Sequence, residues 1–137
     1  MNLDEWQEYL KAEKAKLAAV KDPRKVSGDD VEIYTELRAL AQNLEVYSRL
    51  KYKCGARTAM LEKEYAEKTL VAAQDLTEGK LEALAINKQS KFKYIENMLY
   101  QERYDIDENR NLYKYFADMR ETTQEWVMCY KKQMSSI

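Results

Sequence analysis

From Arg24 to Ile137 the chain contains no proline, and only Gly28, Gly55 and Gly79 interrupt that stretch. The same stretch is rich in Ala, Leu, Glu, Lys, Gln and Arg, the side chains that lose least freedom on entering a helix. Such a segment favours long helices. Histidine is absent throughout, which removes the commonest general base and metal ligand. A helical scaffold that binds something fits these two facts better than a catalyst does.

At 137 residues the chain has the size of a single helical domain, 1–137. Apolar residues make up 45% and charged ones 34%, a ratio that suits thin bundles in which each helix buries one stripe and solvates the rest. The expected fold class is therefore all-α: a long antiparallel helical hairpin or helix bundle with a short N-terminal helix. Net charge is −1, so any nucleic-acid site must be a local patch. Cys54 and Cys129 fit neither a CxxC motif nor a disulfide framework and read as free thiols of a reducing compartment. No stretch approaches the roughly 18 consecutive apolar residues of a membrane span, and the opening MNLDEWQEYL is polar and acidic. The expectation is a cytoplasmic protein with no membrane partner.

Leu3, Trp6, Leu10, Leu17 and Val20 form one apolar stripe, predicting a helix over 1–21 that Asn2 or Asp4 caps and Asp22-Pro23 ends. Residues 22–30 read as a linker, with Asp29 or Asp30 capping the next helix. That long helix, over 31–75, carries Ile33, Leu37, Leu40, Leu44, Tyr47, Cys54, Leu61, Tyr65 and Ala72 at coiled-coil spacing. Gly55 within it costs about 1 kcal/mol relative to alanine and marks a place for a bend. Asp75 and Glu78 have capping-box spacing for a short helix near 77–88. A final pattern over 91–134 runs through Phe92, Ile95, Leu99, Ile106, Tyr113, Phe116, Tyr130 and Met134, with Trp126 and Val127 alongside. Glu102 and Asn109 interrupt its seam, and the polar stretch 101–111 is a candidate loop splitting it in two.

Without histidine, Ser-His-Asp and Cys-His catalysis and the usual Cys/His zinc sites are excluded. Asp105-Ile106-Asp107-Glu108-Asn109 superficially matches a calcium loop, but Arg110 replaces the required glycine and Phe116 the bidentate glutamate. No cofactor and no enzymatic activity are expected. Charge distribution is more informative. Arg49, Lys51, Lys53 and Arg57 lie together with no acid among them, and Lys88, Lys91 and Lys93 form a second cluster interleaved with Phe92 and Tyr94. Basic side chains beside aromatics are the recipe for single-strand binding, with phosphates neutralised and bases stacked. The plain alternative is that these are solvated helix faces with Tyr47, Tyr52 and Phe92 turned inward. Eleven tyrosines also suit a self-association surface, because tyrosine buries much area yet keeps a polar tip.

The opening Met1-Asn2-Leu3-Asp4-Glu5-Trp6-Gln7-Glu8-Tyr9-Leu10-Lys11, the segment Asn43-Leu44-Glu45-Val46-Tyr47-Ser48-Arg49-Leu50, then Met60-Leu61 and a charged helix closing near Gly79 carry a resemblance. Over residues 1–79 the chain resembles the UvsY family of T-even phage recombination mediators. The resemblance implies a small all-helical protein that forms homo-oligomers and binds single-stranded DNA. It also implies a partner pair: a RecA-like recombinase, loaded onto strands covered by a single-strand binding protein. The family's basic pair in the helix before the glycine maps to Ala72 and Gln74 here, both uncharged. DNA contacts are therefore expected at Arg49, Lys51, Lys53 and Arg57, extended by Lys88, Lys91 and Lys93, with Tyr52 and Phe92 stacking on bases. The competing expectation is a phage-encoded protein-interaction module with no DNA binding: an inhibitor of a host defence complex, or a scaffold or chaperone component of an assembly. Its acidic working surface would be Asp105, Asp107 and Glu108 with Asp118, Glu121 and Glu125.

Overall fold

The computed structural model describes residues 1–26 and 28–135. The chain is all-α. Its helices are α1 (Leu3–Lys14), α2 (Asp30–Asp75), α3 (Glu78–Ala83), α4 (Lys91–Met98) and α5 (Tyr100–Ser135), with short 3-10 turns at Pro23–Lys25 and Lys88–Ser90. Two compact units are present: Met1–Lys53 with Leu112–Ile137, and Cys54–Asn111. Helices α2 and α5 contribute to both.

In the first unit, Asn2 caps α1 by accepting the Glu5 N–H at 2.8 Å. The helix ends at Lys14, well before the expected Asp22-Pro23 stop. Beyond it the chain turns and then runs as an irregular strap, several of whose backbone groups are taken by side chains of α2 and α5. Gln42 donates to the Lys16 carbonyl at 2.6 Å. Asn43 accepts from the Ala18 N–H at 2.8 Å and donates to the Ala18 carbonyl at 2.9 Å. Glu36 accepts from the Lys21 N–H, the Tyr130 hydroxyl donates to the Lys21 carbonyl, and Gln133 donates to the Pro23 carbonyl. These bonds replace the ladder a longer helix would have supplied, since backbone polar groups next to a core need partners. The 22–30 linker then contains the Pro23–Lys25 turn, capped by Asp22; Ser27 lies outside the described residues. Asp29 caps α2 by accepting the Glu32 N–H at 3.0 Å. Ile33, Leu40 and Tyr130 form the buried centre, with Val20, Val26, Leu37, Trp126 and Val127 packed against it. Arg120 donates to Ser48, and Lys51 stands over the Tyr113 ring. With Tyr130 against Leu40, these pairs set α2 and α5 antiparallel in this unit.

In the second unit α2 continues through Gly55 without interruption. Glu62 pairs with Arg110, and Lys68 with Glu102, so α2 and α5 are antiparallel here too. Leu76, Leu81 and Ile95 form the core, with Ala72, Ala73, Ile86, Tyr94 and Leu99 around it. Thr77, not Asp75, caps α3 by accepting the Lys80 N–H. This helix stops at Ala83, short of the expected 88. The Ile86 N–H bonds the Leu81 carbonyl at 2.9 Å and the Ala85 N–H the Glu82 carbonyl at 3.0 Å. That is a Schellman closure, with Ala85 at φ 56 in the left-handed position usually held by glycine.

The final helical pattern breaks at Leu99 and not across 101–111, which is helical. Ile106 and Asn109 are buried within that stretch, while Glu102 and Arg110 reach α2 as ion pairs. Its polarity belongs to the flanks of a seam, not to a loop. Most seam positions are buried or half-buried, but Phe92, in the first turn of α4, is 75% exposed. Ile95, one turn on, carries the contact with Leu76 and Leu81 instead.

Candidate nucleic-acid interface

Arg49, Tyr52 and Lys53 recur at i, i+3 and i+4 on α2 and so share one face of the helix. All three are exposed, Tyr52 to 73%. Lys51 is not part of that face. It is half-buried, with its ammonium 5.7 Å from the Tyr113 ring centroid, a cation–π contact within the first unit. Arg49 is already engaged, its Nε donating to Glu13 Oε2 at 3.0 Å. The Glu13 carboxylate is buried and also accepts from Lys16 at 2.6 Å. The Lys16 hydrogen bond holds the Glu13 carboxyl below its ordinary value against the opposing effect of burial, and Arg49 adds to it. No single-sequence signal links Glu13 to Arg49, because the pair is 36 residues apart.

Arg57, half-buried, is on the part of α2 that belongs to the second unit. There the second basic cluster divides by role. Lys91 donates to the Ala73 carbonyl at 2.8 Å, fastening the start of α4 to the end of α2. Lys88 pairs with Glu78, whose carboxyl is thereby held below its usual range. Phe92 and Lys93 are exposed. Among the described residues, the side chains of Tyr52, Lys53, Phe92 and Lys93 make no ion pair, hydrogen bond or ring contact. They are the members of the expected set free to meet a ligand.

Two exposed aromatics absent from that set, Tyr100 and Tyr104, stand one turn apart at the start of α5; their i, i+4 spacing is the signal that finds them. Among the described residues, no group of three or more Cys, Asp or Glu side chains is placed to hold a metal ion, and no helix is long and apolar enough to cross a membrane. No family model, curated protein or solved structure matches this chain.

Proposed function

We propose that this protein is an oligomeric single-stranded-DNA-binding accessory factor in phage recombination. In this reading it is a mediator that helps load a RecA-like recombinase onto strands held by a single-strand binding protein in the host cytoplasm. The observation that carries the reading is the pairing of exposed, uncommitted aromatic and basic side chains: Tyr52 with Lys53, and Phe92 with Lys93. Buried aromatics belong to cores, but an aromatic ring left in water beside a lysine offers a stacking surface next to a phosphate contact. Arg49 joins by exchanging Glu13 for phosphate. The recombination role itself comes from the resemblance of residues 1–79 to the UvsY family. Nothing in this mechanism requires catalysis; the work is binding and handover.

Fluorescence anisotropy with labelled oligo-dT tests each of the two surfaces. Stacking is worth about 1–3 kcal/mol per base, so Tyr52→Ala or Phe92→Ala weakens binding by about 5- to 150-fold. Unchanged affinity in both variants removes both contact surfaces. A second reading, a protein-interaction module without DNA binding, draws on Tyr100 and Tyr104 preceding Asp107 and Glu108 on α5. Absence of any oligo-dT binding at low salt favours it.

A further inference from the structure

The second unit carries a groove of about 570 Å³, which neither DNA-contact surface includes. Its floor is apolar: Val71 and Ala72 of α2, then Leu76, Met98 and Leu99. Val71 and Met98 are each 55% exposed. Along one wall Glu64, Glu67, Val71 and Asp75 repeat at i, i+3, i+7 and i+11 on α2. That span is about 16 Å at 1.5 Å per residue, or three helical turns.

The rim decides what fits. Glu64, Glu67 and Asp75 form no ion pair among the described residues, whereas Lys68 is neutralised by Glu102 at 3.4 Å. Lys80 is the remaining cation, so the groove edge is acidic on balance. An apolar floor beside a wall that carries Glu64 and Glu67 toward one end and Asp75 toward the other is complementary to a helix with an apolar stripe flanked by lysine or arginine. We infer that this groove docks a cationic amphipathic helix of a partner protein, its apolar side chains at i, i+3 or i+4, and i+7 over Val71, Leu76 and Met98. Its basic residues then meet Glu64 and Glu67 toward one end and Asp75 toward the other. This inference is independent of the DNA reading and survives its failure.

The test uses the full chain and two labelled 15-residue peptides, one Leu/Lys and one Leu/Glu, each with leucines on a single helical face. The Leu/Lys peptide binds, and the Leu/Glu peptide binds at least about tenfold more weakly. Val71→Lys and Met98→Lys each weaken Leu/Lys binding by about tenfold or more, while far-UV circular dichroism and oligo-dT affinity stay as in the parent. The combined Glu64→Gln, Glu67→Gln and Asp75→Asn variant, which leaves the floor intact, weakens binding and flattens its salt dependence. Equal affinity for both peptides, or Leu/Lys binding indifferent to both lysine substitutions, overturns the proposal. Self-association of the parent that Val71→Lys abolishes in sedimentation also overturns it, because the occupant is then a second copy.

Discussion

Replacing Asn43 tests whether α2 side chains hold the strap between α1 and the Pro23 turn. Asn43 is 7% exposed and its amide both accepts from and donates to Ala18, at 2.8 and 2.9 Å. A typical hydrogen bond contributes about 1 kcal/mol net, and a buried partner left unsatisfied costs about 1–3 kcal/mol. Ala18 is only half-buried, so water recovers part of that loss, and Asn43→Ala is expected to cost about 2–3 kcal/mol. Asn43→Leu removes the same two bonds while refilling the volume, so a loss of about 2 kcal/mol in that variant assigns the effect to hydrogen bonding and not to a cavity. The assay is urea unfolding followed by far-UV circular dichroism, where such losses move the midpoint by about 1 M at an unchanged slope. Hydrogen exchange at the Ala18 amide should speed up in parallel. A leucine variant within about 0.5 kcal/mol of the parent, with Ala18 still protected, refutes the reasoning.

Local geometry sets three further expected outcomes. Glu13 has its carboxyl held below the ordinary 4.5, so its stabilising effect is present above that value and is lost as pH falls through the lowered one. Glu13→Gln should therefore cost about 1 kcal/mol at pH 7 and progressively less as pH falls below 4.5, while freeing Arg49 and tightening oligo-dT binding; a cost that does not shrink on acidification contradicts this. Asn109 is 4% exposed, and although its Nδ2 donates to the Asp105 carbonyl at 2.8 Å its Oδ1 has no hydrogen-bond partner, so Asn109→Leu should raise the urea midpoint by the equivalent of up to about 1 kcal/mol, and a lower midpoint counts against it. Ala85 occupies a left-handed position at φ 56, so Ala85→Gly should stabilise by up to about 1 kcal/mol in thermal unfolding, whereas a loss of stability would show that the conformation is not strained.

The helical class and the long seam of α2 were legible because they rest on local periodicity and on residues such as Ile33, Leu40, Tyr47 and Cys54 that meet the core in register. The early end of α1 was not legible, because the partners of its strap lie far along the chain: Gln42 and Asn43 on α2, Tyr130 and Gln133 on α5. The stop of α3 was hidden for another reason, since its left-handed cap is an alanine where sequence rules look for glycine. Polar content misled over 101–111, where charges reach across to Glu62 and Lys68 and do not mark a loop. For the candidate interface, sequence located the basic clusters but not their commitments. Lys51 over Tyr113, Lys91 on the Ala73 carbonyl and Arg49 on Glu13 are tertiary contacts, and they separate structural cations from Lys53 and Lys93. By spacing alone Tyr52 and Phe92 suit either core or surface, and both are exposed.

The most direct test of the account is a salt series of oligo-dT binding by the full protein. The account predicts micromolar or tighter affinity at low salt. It further predicts a log–log slope of about −0.7 for each phosphate contacted, lowered in magnitude when Lys53 and Lys93 are replaced by alanine. No binding at low salt, or binding that salt leaves unchanged, contradicts the single-strand reading.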